Sequence, residues 1–344
     1  MSKRLACLFV LCAIILFCGC ERRPLVDYSN SVTLKVKVRT DNILNITPGT
    51  HYPGSENIPR PVIDTEIYQV NFYDINTGEL AFYNYISQEE IADDGNKVIY
   101  GTIKVRPGVY DVLCYNFDLQ STLIKNMNSW GDITAYTSEI SEYLYSRFQS
   151  RADNSDAIYY QPDHVLVARL DDLEIKEYVK EEVVELDANT VNDTYYVQVR
   201  LKNGKYASNA TAVLSGLAVT NQLGPNICGT VPGATFFEMY KSVDTRLRSV
   251  NQNVLCGVFN TFGKIDEADS RMTITFNVVT TKGDIQEMVV DAEEMKKVFA
   301  SEEAINNHWL LIDKEFEIVP PESEQGGFRP TVSDWEEDRG VIEF

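Results

Sequence analysis

Val32-Thr33-Leu34-Lys35-Val36-Lys37-Val38-Arg39 alternates apolar and polar residues without a break. Successive side chains of a strand point to opposite faces, so this octet predicts a half-buried strand with an aliphatic inner face and a basic outer one. The same period of two recurs downstream. Tyr68-Gln69-Val70-Asn71-Phe72 alternates, Asp74-Ile75-Asn76-Thr77-Gly78-Glu79 turns, and Leu80-Ala81-Phe82-Tyr83-Asn84-Tyr85 returns, which predicts a hairpin. Residues 98–105, the turn Arg106-Pro107-Gly108 and Val109-Tyr110-Asp111-Val112-Leu113-Cys114-Tyr115-Asn116 predict a second hairpin, with proline fixing φ and glycine permitting a reversal. Between the opening octet and Tyr68, the breakers Pro48, Gly49, Pro53, Gly54, Pro59 and Pro61 mark residues 45–61 as a loop. Ile140, Leu144 and Phe148 fall at helical spacing after Thr137-Ser138 and suggest one short helix. Asp163-His164-Val165-Leu166-Val167-Ala168 is a strand that closes this half.

Working outward in the other direction, the acidic stretch from Asp171-Asp172-Leu173-Glu174 to Glu181-Glu182 reads as the passage between two halves. Strand patterns resume at Tyr195-Tyr196-Val197-Gln198-Val199-Arg200-Leu201 and at Ala212-Val213-Leu214-Ser215-Gly216-Leu217-Ala218, and continue over 254–259, 272–278, 285–290 and 309–312. Asp291 followed by Glu294 is a helix N-cap pattern, with Met295, Val298, Phe299 and Ile305 as the apolar face. Short strands separated by turn signals are the pattern of β-sandwiches. The chain therefore reads as all-β, two sandwiches in tandem with one or two short helices. The expected divisions are a signal segment at 1–19, a tether at 20–30, sandwiches at 31–172 and 173–320, and a tail at 321–344.

The first twenty residues give an address. Lys3 and Arg4 precede the uncharged apolar run from Leu5 to Phe17, which is shorter than the ~20 residues a membrane-spanning helix needs. Cys18-Gly19-Cys20 closes the run, and the arrangement resembles a bacterial lipobox whose last cysteine, Cys20, is acylated. An ordinary secretory signal is the alternative. The net charge of −20 repels phosphate backbones and argues against nucleic-acid binding. Of the 7 cysteines, Cys7, Cys12 and Cys18 lie in the leader and Cys20 would carry lipid. Cys114, Cys228 and Cys256 remain, an odd number that allows one bridge at most; the first and last sit in strand patterns as buried thiols, and a Cys228–Cys256 bridge stays open without being favoured.

No constellation for chemistry emerges. His51, His164 and His308 stand outside metal-site spacing of one another and of any cysteine, so no metal and no cofactor is expected. His164, beside Asp163 at a strand start, reads as structural. Asp74-Ile75-Asn76-Thr77-Gly78 has the opening of a calcium loop but lacks its later ligands, and reads as a turn. Adjacent carboxylates such as Glu336-Glu337 would point to opposite faces of a strand and could not flank one glycosidic bond. An enzyme is therefore not expected. Of the 19 tyrosines, Tyr68, Tyr110 and Tyr196 lie in alternating runs and read as sheet packing, whereas Tyr143, Tyr145, Tyr159 and Tyr160 are less committed and keep open a sugar-binding alternative.

Several segments together are similar to the fimbrillin-associated anchor lipoproteins of type V pili and to an allied lipoprotein family of unassigned function. They are Cys20-Glu21-Arg22-Arg23-Pro24-Leu25, the run from Pro107 to Asn116, Pro162 to Ala168, Leu214 to Ala218, and Gly327-Phe328-Arg329-Pro330 to Asp334-Trp335. The resemblance implies two transthyretin-like, Greek-key sandwiches, an acylated Cys20 and attachment to the outer membrane, at the cell surface or facing the periplasm. It also implies a fimbrial anchor or tip-type adhesion component that meets pilin-like subunits by strand complementation. The expected partner-binding residues are Phe328, Val332, Trp335, Val341 and Phe344 of the tail, with Gly326-Gly327 as hinge; the plainer reading docks the tail on its own domain. The alternative function is a surface glycan-binding lipoprotein of a polysaccharide-uptake system.

Overall fold

The computed structural model describes residues 31–40, 44, 61–93, 95–141, 157–244, 249–265, 268 and 271–320. The leader, Cys20, most of the 41–60 loop, Leu144 and Phe148, and the whole tail lie outside them. Among the described residues the chain is all-β, with two short helices. In chain order the strands are β1 (Val32–Thr40), β2 (Tyr68–Asp74), β3 (Leu80–Ile86), β4 (Gln88–Ile91), β5 (Lys97–Val105), β6 (Gly108–Asn116), β7 (Thr122–Lys125), β8 (Thr134–Thr137), β9 (Ile158–Tyr160), β10 (Leu166–Ile175) and β11 (Glu181–Thr190). They continue with β12 (Asp193–Lys202), β13 (Ala207–Ala218), β14 (Thr220–Gln222), β15 (Ile227–Cys228), β16 (Pro232–Asp244), β17 (Ser249–Thr261), β18 (Ile274–Thr280), β19 (Ile285–Val290) and β20 (Trp309–Glu317).

β1 behaves as its alternation requires: Val32, Leu34, Val36 and Val38 are buried, and the residues between them face outward. It lies inside a sheet of order β3-β2-β6-β10-β11-β1-β5-β4. β3 and β4 stand at opposite ends of that order, yet Ser87 alone separates them in sequence, so the sheet must fold over itself. The fold line runs where β10 and β11 pair at just Leu166↔Thr190 and Val167↔Asn189. Two four-stranded layers result, closed on a core from β1, β2, β5, β6 and β11. Within it Phe72 and Phe82 stack at 4.4 Å, with Tyr110 edge-on to both.

The β2–β3 hairpin forms as expected. Its turn is held by Asp74, whose Oδ1 accepts from the backbone N–H of Asn76 and Thr77, and Gly78 takes φ +68°. The second expected hairpin does not form. β5 pairs with β1 and β4, while β6 pairs with β2 and β10, so Arg106-Pro107 carries the chain from one layer to the other. β5 alternates along its second half and β6 is buried on both faces from Val112 onward, and neither pattern names the neighbouring strand.

The acidic stretch is taken up by the end of β10, the turn over 176–180 and the start of β11. A division at 172/173 falls inside β10, and β11 pairs in parallel with β1. The register sets Lys37 against Glu185 and Arg39 against Asp187, the latter with Nε–Oδ1 at 3.8 Å. The carboxylates that face the basic side of β1 are thus Glu185 and Asp187, just beyond the acidic stretch, whose own Glu181 and Glu182 pair with Thr33 and Leu34.

The second large sheet has the order β19-β18-β13-β16-β17-β12-β20, with β9 added in parallel to β16. It too curls. Phe276 on β18 and Phe316 on β20 meet at 6.1 Å between ring centroids although four strands lie between β18 and β20 in the sheet order. Two helices, α1 (Ala292–Phe299) and α2 (Glu302–Asn307), pack Met295, Val298, Phe299 and Ala304 into the core this encloses. Asp291 caps α1 by accepting from Glu294 N–H at 3.0 Å, as the sequence pattern predicts. Ile305 departs from that pattern: it sits on α2 and is exposed, because the chain breaks at Ala300-Ser301 and restarts with a Ser301 cap. Cys114, Cys228 and Cys256 form no disulfide with one another.

The units are joined by two apolar contacts. Tyr196, Cys256, Val254 and Trp309, on one face of the second sheet, contribute to the first core. A small sheet of order β15-β14-β8-β7 sits against the outer face of β2-β6-β10 through Ile133, Ala135 and Leu223 on one side and Tyr73, Leu113, Tyr115 and Val167 on the other. Arg169 of β10 ties the β14–β15 turn down, its Nε donating to the carbonyls of Leu223 and Gly224 at 2.7 and 3.1 Å.

Candidate functional site

Three places on the described surface have the chemistry to meet a partner. The first is where the tail begins. β20 pairs with β12 on one side, and Ile318 N–H continues that contact by donating to Lys202 O at 2.9 Å. On the other side stands β19, joined to the end of β20 by one side chain. Gln286 accepts from Val319 N–H and donates to Val319 O, both at 2.9 Å. A side-chain amide here does the work of one ladder rung, so among the described residues β19 and β20 face each other without a backbone ladder. Ile285 and Val289 on β19 and Val319 beside them are exposed. The tail leaves from this seam.

The second place is the outer edge of β3. Tyr83, Tyr85 and Phe117 are each about half exposed and meet edge to face, at 5.8 and 4.9 Å between centroids. Exposed aromatics in contact form an apolar patch that a solvated surface does not need. The Tyr85 N–H donates to Asn84 Oδ1 at 2.8 Å.

The third is a groove of about 950 Å³ on the outer face of the small sheet. Alternation along its strands points Leu123, Tyr136 and Thr220 outward in one cross-strand row, and Lys125, Thr134 and Gln222 in the next. Lys125 Nζ lies 4.9 Å from the Tyr136 ring centre. One wall is Tyr159, whose hydroxyl donates to Glu139 Oε1 at 3.2 Å. Cys228 lines the opposite side; burial, then the charge of Asp193, pushes its thiol up, so it is an uncharged wall.

The histidines do not converge. His164 lies two residues before β10, and burial lowers its pKa against the opposing pull of Asp163. Asp163 is itself committed, its Oδ2 accepting from the backbone N–H groups of Gln120, Ser121 and Thr122 at 2.8, 2.7 and 2.8 Å. His308 ends α2 at φ +58° and stacks on Tyr195 at 4.8 Å. No group of three or more histidine, cysteine or carboxylate side chains fit for a metal occurs among the described residues. Tyr68, Tyr110 and Tyr196 are buried in the sheets, as read from the sequence. Cys20, Phe328, Val332, Trp335, Val341 and Phe344, and also His51, Tyr143 and Tyr145, lie outside the described residues. Sequence reasoning passed over Tyr136, Thr220 and Gln222; their shared face is set by pairing between segments some 85 residues apart, which no local pattern carries.

A family model described as a domain of unknown function (DUF5119) matches residues 70–238. Over 305 residues, 86% of this chain and 80% of the other, the chain is 22% identical to "Putative fimbrium anchoring subunit Fim4B" of Bacteroides ovatus. The expected likeness to a fimbrium-anchoring subunit is found. Among solved structures, one described as "a putative adhesin" from Bacteroides ovatus superposes with a TM-score of 0.52 at 21% identity, covering 88% of this chain and 98% of that one, and it has the same fold. The fimbrial anchor protein Mfa2 from Porphyromonas gingivalis aligns over 81% of this chain and 88% of its own, at 13% identity and a TM-score of 0.44.

Proposed function

We propose that this chain is an outer-membrane lipoprotein that anchors or caps a fimbrium, holding a pilin-like subunit by strand complementation. The reading is carried by likeness to a fimbrium-anchoring subunit along most of the chain, and the seam between β19 and β20 supports it. Strand addition needs an unzipped edge or a strand to lend: main-chain hydrogen bonds supply affinity and alternate side chains supply selectivity. The tail leaves the seam at Val319 and carries Phe328, Val332, Trp335, Val341 and Phe344 as apolar anchors past the Gly326-Gly327 hinge. It is the strand that would be lent.

Two experiments test the two halves of the proposal. Truncation after Gln325 is expected to leave the unfolding midpoint unchanged and to abolish co-purification with pilin-like subunits. A marked loss of stability instead, of the several kcal/mol that removing a buried tryptophan costs, would assign the tail to its own core and reject the lending role. For the anchor, Cys20→Ala is expected to shift the protein from the membrane to the soluble fraction and to abolish acyl labelling, since stable attachment needs more than one lipid chain and all of them would be on that residue. Unchanged membrane association of this variant would rule the anchor out.

A further inference from the structure

We infer that the groove on the outer face of the β15-β14-β8-β7 sheet binds a neutral oligosaccharide. The inference does not depend on strand complementation, since the groove is built from strands remote in sequence from the tail. Its volume of about 950 Å³ stands near the top of the ~300–1,000 Å³ range of small-molecule sites, room for several sugar units.

The lining matches sugars and not the other ligand classes. The chain has a net charge of −20 and one residue in four charged, yet of the residues forming the groove Lys125 and Glu139 alone carry charge. Anions gain little there, and Glu139 is turned to Tyr159. A purely apolar ligand would strand the hydroxyls and amides that fill the lining. Sugars present C–H faces beside hydroxyl edges. Leu123, Ile227, Val231 and the Tyr136 ring offer apolar surface for the former. For the latter, the Tyr136 hydroxyl, the Gln222 amide and the Asn126 amide make no side-chain hydrogen bond within the described residues and open on the groove. Lys125 rests on the Tyr136 ring, but an exposed contact of this kind is weak and gives way to a sugar face.

An extended peptide fits less well. Inside the groove the ladder edges of β8 and β14 are already paired, so a peptide's N–H and C=O groups would meet side chains alone. Sugar hydroxyls need side-chain partners and no ladder.

The test is ligand-observed NMR on the purified full chain with maltohexaose, cellohexaose, xylohexaose and mannohexaose. At least one is expected to bind. Tyr136→Ala is expected to weaken that probe about tenfold or more and Gln222→Ala about threefold, whereas Tyr83→Ala, on the separate β3 patch, leaves it unchanged. Gln222 is a partly exposed side chain without bonded partners, so its variant decides the matter if Tyr136→Ala fails to fold. Binding by none of the four sugars, or parental affinity in Tyr136→Ala and Gln222→Ala, or loss of binding in Tyr83→Ala, would overturn the assignment. So would displacement of Lys125 and Gln222 resonances by a pilin-derived peptide and by no sugar. Co-purification with pilin-like subunits is measured on the same variants and is expected to persist, which separates failure of this site from failure of the anchor role.

Discussion

Replacing Gly224 by alanine is expected to cost about 3 kcal/mol of unfolding free energy, the sum of an overpacked contact and a lost charge-assisted hydrogen bond. A Cβ at this position would collide with the carbonyl oxygen of Trp130 and come within 3.0 Å of its carbonyl carbon. Both are backbone atoms, so relief requires moving a chain segment, and the β14–β15 turn would have to lift from the first unit. Lifting it draws the Leu223 and Gly224 carbonyls off Arg169, a cation about half-buried whose Nη2 already lacks a partner among the described residues. Gly229 provides the control. A Cβ there collides with the Thr220 hydroxyl, which can rotate away, and comes to 3.1 Å of the Thr220 carbonyl oxygen, so Gly229→Ala is expected to cost less, about 1 kcal/mol. Urea unfolding of both variants measures the contrast. Equal, small losses would mean that the turn is not clamped.

Asp163→Ala should be nearly as damaging, at about 2–3 kcal/mol. The carboxylate gathers three consecutive backbone N–H groups, and its own N–H donates to Thr122 Oγ1 at 2.8 Å. Charge-assisted bonds of this type are about twice as strong as neutral ones, but the site is partly open to water, which holds the total below three times the single-bond value. Truncation leaves the loop over 120–122 without acceptors at the root of β7, and amide exchange there is expected to quicken along with the global loss. Asp163→Asn keeps an acceptor without the charge and should fall between. Exchange at Gln120, Ser121 and Thr122 that matches the parent in the alanine variant would show that the cradle does not hold the loop.

Local chemistry was legible wherever a single segment decides the outcome. The β1 alternation, the Asx turn at Asp74 and the Asp291 cap each depend on neighbours within four residues, and each forms as read. Choice of neighbour was not legible. The Arg106-Pro107 segment has the composition of a hairpin turn and instead joins two layers. The acidic stretch looks like a linker, yet it runs straight into β11, whose Glu185 and Asp187 fall opposite Lys37 and Arg39 of β1 at a separation of nearly 150 residues. The groove is a stronger case of the same limit. Tyr136 is an ordinary strand tyrosine in sequence, and only pairing with β7 and β14 puts hydroxyls and amides around it.

The interior position of β1 has a mechanical meaning. A pull on Ser31 enters a strand bonded along its length to β11 on one side and β5 on the other. Drawn along its axis, such a strand must slip past both ladders in one step, whereas a strand on a rim can be unzipped rung by rung. β20, at the far end of the described chain, has a ladder on one side and the Gln286 amide on the other. Resistance to extraction is therefore expected to be unequal at the two ends, the C-terminal seam opening first under tension, and in the proposed anchoring role the rate of that opening, not the equilibrium stability of the whole, would set how long the molecule holds.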